Sequence, residues 1–150
     1  MSVWEDILVS LRDIIQESDE FKDVDVYFDD SEMNPNISLP AVSFKVGKKE
    51  LLKSSVACRE YVRHVEIRLH TKTIDKRKLQ SELYDYEEQL IRIFHVAELN
   101  NNIPSFYEIT EGTTLPIVAL MWNARPEGGQ FDYSFFSNML RIKFDIRYEI

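Results

Sequence analysis

The sequence predicts an α+β domain, a mixed and mainly antiparallel sheet with two amphipathic helices packed on one face. Three observations predict it. Two well-separated segments repeat apolar residues at helical spacing, several others alternate apolar with polar side chains, and only the second helix interrupts the strands. The chain has 150 residues with neither an internal repeat nor a break in composition, so it is read as one domain over residues 1–150.

The first helix is predicted from Val3 to Glu17. Ser2-Val3-Trp4-Glu5 has the form of a capping box, and Val3, Trp4, Ile7, Leu8, Leu11, Ile14 and Ile15 form one apolar stripe. Val24, Val26 and Phe28 alternate with acids and a tyrosine, which predicts a short strand with one wet face. Asp29 to Pro40 is polar and carries the breakers Pro35 and Pro40, so it reads as a surface loop. Ala41 to Val46 reads as a second strand that Gly47 stops.

Arg59 to Thr71 is a longer strand. Tyr61, Val65, Ile67 and Leu69 share one face, and Glu60, His64, Glu66, Arg68 and His70 share the other. From Lys76 to Phe94 helical spacing returns, with Leu79, Leu83, Tyr86, Leu90 and Phe94 in line and Asp75 placed to cap the start. Asn100 to Pro104 ends that region, and Ser105 to Thr110 reads as a short strand. Leu115 to Trp122 is apolar on both faces, the pattern of a strand in the middle of a sheet. Pro126 and Gly128-Gly129 mark Asn123 to Tyr133 as a turn or long hairpin loop. The last strand, Met139 to Ile150, has the cleanest pattern: Leu140, Ile142, Phe144, Ile146, Tyr148 and Ile150 face the core, and Arg141, Lys143, Asp145, Arg147 and Glu149 face away. Leu140, Ile142, Phe144 and Ile146 are its expected core.

The formal net charge is -8, and it is unevenly placed. Residues 1–32 hold eleven acids and two bases, a net of -9, and the remainder is nearly balanced. Two readings fit this acidic region: a solubilising surface, or one that must not stick to nucleic acid. Either way a duplex-binding protein is not expected, because such proteins replace counterions with clustered Lys and Arg.

Catalytic signatures are scarce. Gly47, Gly112, Gly128 and Gly129 fit no nucleotide-binding spacing. The single cysteine, Cys58, forbids an internal disulfide, which suits a reducing compartment, and belongs to no nucleophile motif. His64 and Glu66 share a strand face with His70, but lack a third converging metal ligand, so an ion-paired outer face is the simpler account. The adjacent acids Asp29-Asp30 and Glu87-Glu88 do not face each other and read as solvated surface. No cofactor or metal is expected. No apolar run is long enough to span a bilayer, and the acidic start MSVWEDILVS is unlike a signal peptide.

Phe131, Tyr133, Phe135 and Phe136 crowd into six residues. They either complete the core or anchor a protein–protein interface, and alternation places Phe136 opposite the other three.

The segments VWEDILVSLRDII, LPAVSFKVG, YVRHVEIRLHTK, KLQSELYDYEEQLIRIF and LRIKFDIRYEI follow one another in an order that resembles the tail terminator (tail completion) proteins of long-tailed bacteriophages and their head–tail joining relatives. The resemblance is one of pattern over most of the chain. It implies a non-enzymatic virion protein of the tail or neck, assembled in the host cytoplasm. Such a protein forms a ring, usually of six subunits, that caps the tail tube, stops its polymerisation and offers a docking surface for the head. The implied partners are further copies of itself, the tube protein and a head-completion or neck protein, with no specific nucleic-acid binding and no membrane. In that setting Phe131, Tyr133, Phe135, Phe136, Asp29, Asp30 and Glu32 are the candidate interface residues, the aromatics suiting a subunit or tube contact, and the acidic surface as a whole suits a channel through which DNA slides. The alternatives are another neck or connector component and, from a different class, a small metal-dependent hydrolase built on the His64/Glu66 face.

Overall fold

In the computed structural model the described residues are 2–28, 40–72, 76–99, 108–124 and 133–150, and side chains are described for all of these except 72, 76–80, 97–99, 119–124 and 133–137. They form helices α1 (Val3–Glu17) and α2 (Lys76–Leu99) and strands β1 (Asp25–Tyr27), β2 (Ala41–Ser54), β3 (Arg59–Lys72), β4 (Glu108–Ala124) and β5 (Tyr133–Glu149). The five strands make one sheet in the order β1-β2-β3-β5-β4. Only β1 and β2 run parallel, and every other pairing is antiparallel. The fold is therefore the expected α+β class.

Helix α1 starts and ends where the periodicity predicts. The Ser2 hydroxyl oxygen accepts from the Glu5 amide at 3.1 Å, and the hydroxyl itself reaches Glu5 Oε1 at 3.1 Å. Ile7, Leu11 and Ile15 are its buried stripe. Both helices cover the same side of the sheet: Ile7, Leu11, Leu83, Leu90 and Phe94 share one core with Val65, Ile67 and Leu69 of β3 and with Leu140, Ile142, Phe144, Ile146 and Tyr148 of β5. The even-numbered residues of β5 thus supply the buried face that the alternation predicts. Ile150, the last in that series, is 62% exposed because it lies past the end of β5.

Four features depart from expectation. First, β2 does not stop at Gly47 but runs on to Ser54. The register against β3 slips between Val46 and Lys49, so Gly47 sits at a bulge, and a Cβ there would stand 3.0 Å from the His64 carbonyl oxygen. The glycine marks a close approach of two strands rather than an end. Second, α2 continues five residues past Phe94, to Leu99.

Third, Glu108–Thr110, the described part of the segment read as a short strand from Ser105, and the apolar run from Leu115 belong to one strand, β4, and it lies at the edge of the sheet rather than the middle. Pro116 is the physical reason. A proline has no N–H to donate to a ladder, and it sits where the register slips between Leu115 and Val118. A second slip, between Glu111 and Thr114, falls at Gly112, whose Cβ would lie 3.0 Å from the Lys143 carbonyl oxygen.

Fourth, β5 begins at Tyr133, six residues before Met139, and pairs Tyr133 with Ala124, so Asn123, Ala124 and Tyr133 are strand residues. The loop between them, like residues 29–39, 73–75 and 100–107, lies outside the described residues. Asp75 as a cap, Asp29, Asp30, Glu32 and Phe131 fall there.

Candidate functional site: the polar sheet face

Strand alternation puts Glu60, His64, Glu66 and Arg68 of β3 beside Arg141, Lys143, Asp145 and Arg147 of β5 on the face turned away from the helices. Antiparallel pairing sets His64 directly across from Asp145 and Glu66 across from Lys143. His64 Nδ1 lies 2.6 Å from Asp145 Oδ1, and its Nε2 lies 3.7 Å from Glu50 Oε2 on β2. Arg68 Nε donates to Glu66 Oε2 at 2.6 Å, with both side chains about 15% exposed or less. Arg147 Nε donates to Glu60 Oε1 at 3.1 Å, a second nitrogen of the same guanidinium reaches the same oxygen, and Nη1 is 3.5 Å from Glu108 Oε2 on β4. The hydrogen bond it donates to Glu60, more than the charge of Glu60, raises the Arg147 pKa above the ordinary guanidinium value. The face is a charge ladder that ties four strands together.

At its other end the face is dry. Ala41, Ser43, His70 and Met139 are buried there, although alternation puts His70 on the polar face of β3. The Ser43 hydroxyl and His70 Nε2 are 3.0 Å apart, and His70 Nδ1 is buried without a hydrogen-bond partner. Burial first, and the charge of Arg68 second, lower the His70 pKa from 6.5 to about 4, so the imidazole is neutral at pH 7.

A shallow hollow of about 330 Å³ opens beside His64, between Lys45, Glu66, Lys143 and Asp145. Its lining offers a histidine and two carboxylates but no hydroxyl or thiol for nucleophilic work. Among the described residues no three His, Cys, Asp or Glu side chains are grouped to hold a metal ion. The carboxylate partners of His64 thus come from β2 and β5 and serve as a cross-strand tie. Glu66 is taken up by Arg68 and His70 by Ser43, so the three residues singled out for a metal do not converge. Sequence reasoning missed Asp145 and Glu50 as the partners of His64 because strand register is not written in any local pattern.

Cys58 closes the β2–β3 hairpin. The Ser55 amide donates to the Cys58 carbonyl at 2.9 Å, and the Cys58 amide donates to Ser55 Oγ at 3.2 Å. The cysteine is half-buried and its role there is the turn. Glu87 is not simply solvated: it is half-buried and accepts from Thr114 Oγ1 at 3.2 Å, tying α2 to β4, whereas Glu88 is exposed. Of the aromatic cluster, Tyr133, Phe135 and Phe136 stand in β5 opposite Ala124, Trp122 and Met121.

Acidic side chains gather at the N-terminal end. Glu5, Asp6, Asp13, Glu17, Asp19, Glu20, Asp23 and Asp25 are all exposed, on α1 and the turns that follow it. The bases among them are Arg12, bonded to Asp13 at 3.3 Å, and Lys22. No helix among the described residues is long and apolar enough to cross a membrane.

No family model matches the chain, and no curated protein matches it.

Proposed function

We propose that this chain is a structural subunit of a bacteriophage tail terminator, a ring of six that caps the tail tube, ends its growth and receives the head through a neck protein. Its place is the tail or neck of the virion, and it does no chemistry. The observation that carries the reading is the division of labour between the two sides of the sheet. Both helices pack on one side, and the other side carries ion pairs, His64 with Asp145 and Arg147 with Glu60 across strands and Arg68 with Glu66 along β3. Charges engaged with each other in this way suit rigid packing between subunits better than substrate turnover. The exposed carboxylates of α1 and the following turns fit a channel through which DNA slides without binding.

In this reading the segment from Gly128 to Phe136 supplies subunit or tube contacts, since aromatic side chains anchor interfaces at low entropic cost. The test is to follow assembly of Phe131→Ala and Tyr133→Ala. Weakened rings or failed tail capping with an unchanged melting temperature support the proposal. Lowered melting with normal assembly places these rings in the core instead.

A further inference from the structure

The sheet has two edges, and they differ in charge. β1 covers β2 only at Ala41–Ser43, so among the described residues the outer edge of β2 is unpaired from Phe44 to Ser54. That stretch carries Lys45, Lys48, Lys49 and Lys53 against one acid, Glu50. The other edge is β4, which carries Glu108 and Glu111 and no basic residue. Lys45, Lys48, Lys49, Glu108 and Glu111 are all exposed.

The registers put these charges at the same height. Glu108 pairs with Arg147, Arg147 with Val62, and Val62 with Glu50. Glu111 leads in the same way through Phe144 and Val65 to Val46. Glu108 thus lies level with Glu50 and Glu111 with Val46, and Lys48 and Lys49 fall between those two levels on the opposite edge of the sheet. The bulges at Gly47 and Gly112 fall at this level too.

Strand direction adds a second constraint. β2, β3, β5 and β4 alternate in direction, so a copy displaced sideways by rotation about an axis along the strands brings its β4 antiparallel to β2. A two-fold pairing would instead set β2 against β2, lysine on lysine, or β4 against β4, glutamate on glutamate. Like charges opposite one another are destabilising. We infer that a second copy of this chain docks head to tail, its acidic β4 edge adding antiparallel to the basic β2 edge and continuing the sheet from subunit to subunit. This rests on the ring reading and specifies its interface as heterologous, which is what a closed ring requires. Main-chain hydrogen bonds supply the attachment and the charges set which edge is accepted.

The experiment uses the full chain and two charge-reversed variants, K48E/K49E and E108K/E111K, with mass in solution and melting temperature measured for each. The first variant has two acidic edges and the second two basic ones. Each alone is expected at the 17.7 kDa monomer mass with a near-unchanged melting temperature. An equimolar mixture is expected to regain the assembled mass, because each edge then meets its opposite in an alternating ring of even number. Should a reversal unfold the protein, K48Q/K49Q and E108Q/E111Q replace it, with the assembly midpoint expected to rise about tenfold or more. An assembled parent whose variants assemble equally well, or a mixture that stays monomeric, overturns the edge pairing and leaves the ring standing. A parent that is itself monomeric overturns both.

Discussion

The ring of Phe94 on α2 meets that of Phe144 on β5 edge to face, with centroids 5.3 Å apart and planes at 88°. This contact joins the second helix to the strand next to the sheet's centre, and both residues are at most 4% exposed. Aromatic pairs in this geometry contribute beyond the area they bury. Phe144→Ala is therefore expected to cost about 3–5 kcal/mol, a large part of the stability of a domain this size. Denaturant unfolding measures it, and a loss below about 1 kcal/mol would mean that β5 is not a core strand.

Stability should fall in mild acid because of His70. Its pKa is about 4 in the fold and 6.5 when unfolded, so above pH 6.5 the group is neutral in both states. As pH falls from 6.5 toward 4 the unfolded chain takes up a proton that the folded chain refuses, and stability is lost across that window. At 1.36 kcal/mol per unit the full effect is on the order of 3 kcal/mol. Unfolding followed at pH 7 and pH 4.5 should show the drop in the parent and a smaller one in His70→Gln. Equal drops in the two would assign the acid sensitivity to other groups.

The His64–Asp145 pair is half-exposed, which sets its worth low. His64→Gln should change stability by less than about 1 kcal/mol and should leave assembly intact. Elemental analysis of the purified protein should find no stoichiometric zinc that depends on His64. Zinc at one equivalent, lost in His64→Ala, would revive the hydrolase alternative.

Duplex DNA should bind weakly at physiological salt. Eight exposed carboxylates between Glu5 and Asp25 oppose it, and Arg68 on β3 and Arg147 on β5 are paired with Glu66 and Glu60. Ordinary binders make about 6–10 phosphate contacts. A tight, salt-sensitive complex in an anisotropy titration would contradict the channel role given to this surface.

Local patterns carried α1, β3, the stripe of α2 and the buried face of β5, because each is fixed by one periodic apolar side. The distal half of β2 was illegible for the converse reason. From Gly47 to Ser54 every residue is exposed, so nothing imposes alternation. β4 misled because its apolar run outweighed Pro116, the residue that marks an edge. The polar face was legible as a face, but its pairs, His64 with Asp145 and Arg147 with Glu60, join residues more than eighty positions apart. Register alone brings them together. The buried Ser43–His70 contact contradicts the simple rule that the side away from the helices is wet.

The most direct test of the central claim is the mass of the full chain in solution, read together with negative-stain images. The account predicts a closed ring of six copies of the 17.7 kDa chain, visible as an annulus with a central hole. A monodisperse monomer at high protein concentration, with no rings on the grid, would contradict it.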